Sequence, residues 1–228
     1  MAQNNSCSPP PLEWVTVKTT LPKPYPLMSA REPIQTDRLI LRPYAATDVH
    51  DFRLLRLQPE VMKWTSQGKP DTDLEQTQKV LADRLPGTDG ESAFEFAICW
   101  AETGEMIGTG GSHMRVGELG WPVIGYMIRS EFWGKGLATE LMTAFLRAYW
   151  ALPREEVEVR VERSTVEGSE DEPQPEHITA ITLDNNGPSQ NVLGKLGFKL
   201  VRKFNEEDPH SPGANELLYG YALQRPQA

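Results

Sequence analysis

Residues Phe132-Trp133-Gly134-Lys135-Gly136-Leu137-Ala138-Thr139-Glu140 put two glycines where an apolar strand meets an amphipathic helix. Upstream, Val123-Ile124-Gly125-Tyr126-Met127-Ile128 reads as a buried strand; downstream, Leu137, Leu141, Phe145 and Ala148 recur at helical spacing. The glycines therefore fall at a helix N-terminus. Backbone N–H groups there lack partners and carry partial positive charge, so an anion such as a diphosphate is stabilised by several donors at once. Gly134 and Gly136 remove the Cβ atoms that would hold phosphate oxygens away, Thr139 adds a hydroxyl and Lys135 a charge. A plain glycine turn has the same local signature, and the flanking sequence has to decide between the two.

Two familiar phosphate motifs are excluded. The dinucleotide fingerprint needs three glycines opening the first helix of a parallel unit, with an acid about 20 residues on, and the P-loop needs G-x-x-x-x-G-K-[ST]; the chain has neither. Trp133-Gly134-Lys135-Gly136-Leu137-Ala138 instead resembles the pyrophosphate loop of the Gcn5-related N-acetyltransferases (GNAT), Q/R-x-x-G-x-G/A, with Trp133 in the Q/R place. The W-G-K-G-x-A-T-E form is similar to the branch that acetylates ribosomal-protein N-termini. Two further segments resemble that branch. Thr36-Asp37-Arg38-Leu39-Ile40-Leu41-Arg42-Pro43 with Asp48 is similar to its opening strand and first helix. Asn186-Gly187-Pro188-Ser189-Gln190-Asn191-Val192-Leu193-Gly194-Lys195-Leu196-Gly197-Phe198 is similar to its N-x-x-S-x-x-V-L-x-K-L-G-F block. The likeness covers about residues 34 to 224.

The resemblance implies an α/β (α+β) fold, a mixed central sheet of about seven strands with helices on both faces, and a cofactor lying in the splay between the two central strands. It implies acetyl-CoA as donor and direct attack by a primary amine through a tetrahedral intermediate, without a metal. The cofactor-binding set it implies is Met127, Ile128, Trp133, Gly134, Lys135, Gly136, Leu137, Ala138, Thr139, Asn186 and Ser189. A backbone N–H of Met127 or Ile128 would hold the oxyanion, Ile128 would pair with the pantetheine amides, and Gly125 is compatible with a bulge that splays the strand. Many family members carry an acidic tyrosine where this chain has Leu193; Ser189, three residues after Asn186, matches the serine of the branch instead. Both Asn186 and Ser189 also suit a plain helix start. The glutamate that the branch often has just before its Gly-Tyr is absent, Val123 standing two residues before Gly125. The proton acceptors left are Glu118, His113, Glu95 or a water relay. The alternative function is a CoA-binding module with little or no turnover, used for interaction.

Bulk properties agree with one enzyme-sized unit. At 228 residues with 39% hydrophobic and 24% charged side chains, the chain expects one domain plus an extension, soluble, with no run long enough to cross a bilayer and no secretory pattern at its start. Two cysteines, Cys7 and Cys99, favour a reducing, cytoplasmic setting over a disulfide framework. The net charge of −9 argues against a nucleic-acid surface and suits an amine or a peptide with a free ammonium end, though it also serves solubility alone. His50, His113, His177 and His210 are scattered without metal-ligand spacing, and Asp184-Asn185-Asn186-Gly187 lacks the rest of a calcium loop.

Along the chain, residues 1–33 form a proline-rich arm whose Trp14 to Lys18 alternates and would add a strand or lie over the core. An exposed arm and a final strand would allow a homodimer. Helices follow from Thr47 or Asp48, from Pro59, and from Asp73 to Leu85; a hairpin covers Ala93–Trp100 and Met106–Arg115; a strand runs from Leu119 to Ile128. After the helix from Leu137 to Trp150, Val157, Val159 and Val161 alternate as a strand. The acidic stretch 164–176 then separates it from Ile178–Leu183, an insertion expected to be a solvated loop. The final pair, Lys199–Phe204 and Glu216–Leu223, is antiparallel around the loop 205–215.

Overall fold

A computed structural model describes residues 9–22, 24–85, 87, 93–208, 211 and 213–226. Among the described residues ten strands and five α-helices follow one another as β1 (Trp14–Pro22), β2 (Ile34–Gln35), β3 (Leu39–Arg42), α1 (Val49–Arg56), α2 (Pro59–Met62), α3 (Leu74–Ala82), β4 (Phe94–Trp100), β5 (Met106–Met114), β6 (Val123–Ile128), α4 (Leu137–Ala151), β7 (Arg154–Glu162), β8 (His177–Leu183), α5 (Gly187–Lys195), β9 (Lys199–Glu207) and β10 (Asn215–Gln224). Eight strands make the central mixed sheet, in the order β2-β3-β4-β5-β6-β8-β10-β9, one more than the sequence suggested because the two-residue β2 pairs with β3. Every neighbouring pair is antiparallel except β6 and β8, which run parallel because α4 carries the chain across between them.

Strand alternation divides the apolar side chains between two faces. On one, Phe94, Phe96 and Ile98 of β4, Ile124 and Ile128 of β6 and Ile178 and Ala180 of β8 meet Leu137, Leu141, Phe145 and Tyr149 of α4 and Leu193 of α5. The i, i+4 spacing of the α4 residues is what turns one stripe of that helix onto the sheet. On the other face, Ala97, Cys99 and Met106 are covered by Phe52 and Leu55 of α1, Val61 of α2 and Leu81 of α3. These helices are fixed by buried polar pairs: Arg56 of α1 grips Asp71 ahead of α3 through Nε at 2.7 Å, and Asp71 also accepts from Thr77. Asp73 caps α3 by accepting from the Gln76 amide at 2.8 Å.

The C-terminal half of that second face carries a separate two-stranded sheet. Strand β1 pairs with β7 over its whole length, from Trp14 opposite Glu162 to Pro22 opposite Arg154. Val17 and Val161 from the pair pack on Leu119, Trp121 and Phe204. The strand read at 157–161 thus lies outside the central sheet, and its partner is the proline-rich arm. Glu162, 1% exposed, ties the parts together: it accepts from the Ser164 and Glu13 amides and faces the Arg202 guanidinium of β9 at 3.6 Å. Arg202 also donates to the Pro10 and Pro11 carbonyls.

Two boundaries depart from expectation. The strand read from Leu119 begins only at Val123, because Gly120 takes a positive φ of 82°, Gly117 accepts from its amide, and Leu119 and Trp121 turn into the apolar layer beneath β1. The acidic insertion is solvated only in its middle. Its ends fold back: buried Gln174 donates its amide to the Lys18 carbonyl at 2.7 Å and accepts from the Thr19 hydroxyl at 2.8 Å, and the Thr165 hydroxyl accepts from the Trp121 indole.

Candidate active site

The parallel junction of β6 and β8 is where the sheet opens. The two strands share one register position, Val123 opposite Thr179, where the Thr179 amide donates to the Pro122 carbonyl at 2.8 Å; beyond it they part. Which backbone groups face the opening follows from the β5 side. The Arg129 amide donates to the Ile107 carbonyl, which makes Thr109 with Met127, and Gly111 with Gly125, the mutually bonded pairs of that ladder. Met127 therefore spends its N–H on β5, while Tyr126 and Ile128 present theirs to the opening. Of the two oxyanion donors expected, the register leaves Ile128. Its carbonyl is occupied, accepting from the indole of Trp133 at 2.6 Å.

At the end of the opening stands the glycine loop. Gly134 and Gly136 have φ of 73° and 79°, the left-handed region that costs an L-residue about 1–2 kcal/mol. A Cβ on Gly134 would meet nothing within 4 Å, so that glycine borders open space, while one on Gly136 would come to 3.8 Å of the Arg38 guanidinium. Gly136 is the N-cap of α4 with no side chain capping the helix, and Glu140 is the first residue whose amide bonds back, to the Gly136 carbonyl. The amides of Leu137, Ala138 and Thr139 are thus aimed outward, beside the exposed Lys135. The loop is held from behind. Glu140 accepts from the Thr36 hydroxyl at 2.6 Å, the Arg38 amide at 3.0 Å and the Arg38 Nε at 2.8 Å, and Arg38 donates to the Lys135 carbonyl at 2.9 Å. Burial pushes the Glu140 carboxyl up, but these hydrogen bonds and the Arg38 charge outweigh it and hold it below the usual range.

Across the opening, Asn186 caps α5 by accepting from the Ser189 amide at 3.3 Å, so the Ser189 hydroxyl is free of that duty. It accepts instead from the phenol of Tyr126 at 3.3 Å. No spacing in the sequence signals this contact, which joins residues 63 apart.

His113 is the extra residue of a bulge in β5: Ser112 lies opposite Ile124 and Met114 opposite Val123. The bulge expected at Gly125 is therefore in the partner strand, and it turns the exposed imidazole over Gly125, where a Cβ would lie 3.1 Å from its Cε1 and Nδ1. Glu118 lies elsewhere, in the turn before β6. One of its carboxylate oxygens is buried without a hydrogen-bond partner, and burial, followed by the charge of Glu118, raises the Glu206 carboxyl of β9. Glu95 is paired with Arg84 at 3.7 Å. His177 is a core residue, its ring tilted against that of Trp121 and its Nδ1 against the Pro175 carbonyl at 3.0 Å. Cys99 is buried, while Cys7 and His210 lie outside the described residues. Among the described residues no three His, Cys, Asp or Glu gather as a metal site would need, and no helix is long and apolar enough to cross a membrane.

The sheet is opened at one parallel junction with a glycine-rich helix start at the mouth, and residues 38–199 match the acetyltransferase (GNAT) domain model. The chain belongs to the GNAT acetyltransferase family. It is 31% identical over 132 residues to the uncharacterized N-acetyltransferase p20 of Bacillus licheniformis, a match covering 58% of this chain and 74% of that protein. Its fold is similar to that of a GNAT-family acetyltransferase from Bacillus anthracis (TM-score 0.63, 20% identity, 85% of this chain and 99% of that one). It is also similar to that of the microcin C7 self-immunity acetyltransferase MccE, solved in complex with acetyl-CoA and AMP (TM-score 0.59, 14% identity, 82% and 94%).

Proposed function

We propose that the protein moves the acetyl group of acetyl-CoA to a primary amine, a peptide N-terminus or a small molecule, by direct attack. The observation that carries this reading is the conjunction of the outward amides of residues 137–139 with the parted strands β6 and β8. The residues fit the donor: two left-handed glycines, Gly134 next to open space, leave room for diphosphate oxygens, and the exposed Lys135 adds charge. When bound, acetyl-CoA supplies a thioester carbon open to attack. Tyr126 would pair with the pantetheine amides through its open backbone, and the Ile128 N–H would hold the oxyanion. Asn186, whose side-chain oxygen is spent on α5, would offer its NH2 to a pantetheine carbonyl.

His113 takes the ammonium proton in this reading. It is exposed, re-aimed by a bulge and seated over the one residue of β6 that has no side chain. Ser189 would meet the sulfur. The buried Cys99 thiol suits a cytoplasmic setting.

Calorimetry followed by a CoA-release screen over amines and peptides tests the proposal. Acetyl-CoA should bind saturably, with a Kd between about 1 μM and 1 mM as for enzyme substrates generally. At least one acceptor should release CoA, and His113→Gln should lower kcat/KM for it about 100-fold, the scale of general-base catalysis. No binding at millimolar acetyl-CoA would sink the reading; binding without release from any acceptor would leave a CoA-binding module.

A further inference from the structure

From the contact between Tyr126 and Ser189 we infer that Tyr126 is the positioning residue of the leaving-group step: it holds the Ser189 oxygen so that the Ser189 proton points into the opening, toward the sulfur. The inference rests on the acetyl-transfer reading above and adds a residue to it.

The geometry is specific. Tyr126 stands on β6 and Ser189 in the first turn of α5, the helix that follows β8, so the pair bridges the two banks of the opening. The phenol is the donor, which leaves the serine its one hydrogen to give, away from Tyr126. Its 3.3 Å separation is long for two hydroxyls, as hydrogen bonds in an unliganded active site often are before they tighten in the complex. The Ser189 amide is already satisfied by Asn186, so its hydroxyl is not needed to cap α5. Tyr126 has room to stand there because Gly110 of β5, whose Cβ would lie 3.4 Å from the Tyr126 Cβ and 3.0 Å from Leu141, carries no side chain. Burial raises the Tyr126 phenol, with the Ser189 contact opposing, so it remains protonated and a donor throughout the neutral range.

In the step concerned, the amine nitrogen has bonded to the acetyl carbon and the carbonyl oxygen carries the negative charge. On collapse the C–O double bond re-forms, the C–S bond breaks, and its electron pair leaves on sulfur as a thiolate. The protons lost by the nitrogen go to His113 and on to solvent, and the thiolate later takes a proton from solvent. Ser189 gives the thiolate a hydrogen bond as the charge develops. A donor from Tyr126 into the same oxygen polarises that hydroxyl, since hydrogen bonds in a chain strengthen one another.

The test compares Tyr126→Phe, Ser189→Ala and the double variant. Tyr126→Phe should lower kcat about tenfold, one hydrogen bond's worth of transition-state stabilisation, while the Kd for acetyl-CoA measured by calorimetry stays within about twofold. In the Ser189→Ala background the same change should have no further effect. With an acetyl thioester of a more acidic thiol, such as acetyl thiophenol, the loss in Tyr126→Phe should shrink, because a better leaving group needs less help; a phenol that only packs would not respond to the leaving group. Wild-type kcat in Tyr126→Phe, or a full tenfold loss persisting without the Ser189 hydroxyl, overturns the inference while leaving acetyl transfer intact. Failure of the wild-type protein to release CoA from any acceptor overturns acetyl transfer itself.

Discussion

A methyl group on Gly125 would reach to 3.1 Å of two atoms of the His113 ring, closer than ordinary van der Waals contact. The neighbour that must yield is an exposed side chain, so the cost falls on where the imidazole stands, hardly on the fold. Gly125→Ala should therefore keep its Tm within about 3 °C of wild type, the scale of a change below 1 kcal/mol in a chain this long. It should lower kcat/KM about tenfold or more, as misplacing a reacting group does; steady-state kinetics beside a thermal melt decides it. Gly125 and His113 could both be picked from the sequence as candidates, but not as a pair. Their contact exists because β5 gains one residue between Ser112 and Met114, and pairing register is a property of two strands together. Ser189 was likewise picked from the sequence, but its contact with Tyr126, which joins a strand to a helix 63 residues on, was not. By contrast Gly134 and Gly136 were legible singly, since their left-handed backbone depends on the turn they make themselves.

At the scale of elements, the start of α4 is anchored by a segment about a hundred residues upstream. Thr36 and Arg38, at the entry to β3, grip Glu140, and Arg38 holds the Lys135 carbonyl, so the loop is stiffened from the far edge of the sheet. The T-D-R and W-G-K-G-L-A-T-E segments were each readable, but nothing in either names the other as its partner. The Glu140 carboxyl is held below its ordinary value, so its contribution is complete above about pH 4.5 and is lost as the pH falls through the depressed folded value. Glu140→Gln should then cost about 1 kcal/mol at pH 7, allowing for the exposure of Arg38, or about 2–4 °C in Tm. Melts of the two proteins should converge below pH 4.5 as the wild-type carboxylate protonates; a difference that persists undiminished in acid would show that charge is not what Glu140 contributes.

For the whole molecule, the proline-rich arm is a structural strand. Its alternation was plain in the sequence, but its partner was not, because β7 is reached only after 131 intervening residues and is itself out of the central sheet. Val17 is 1% exposed and sits with Val161 and Trp121 under the pair. Deleting residues 1–22 would strip that layer and leave the β7 edge unpaired. The deletion should cost about 4 kcal/mol from lost apolar burial, or about 8–16 °C in Tm. A truncated protein melting with the intact one would mean that β1 holds nothing.

The single register position between β6 and β8 carries one more consequence. Strand order alone makes the sheet look continuous, yet it is two leaves stitched at Val123 and Thr179, with the backbone of Tyr126 and the N–H of Ile128 idle beyond the stitch. A substrate arm that laid its amides along that row would serve as a ninth, borrowed strand. The enzyme would then be most nearly whole while loaded, and each turnover would unpick and remake part of its own architecture.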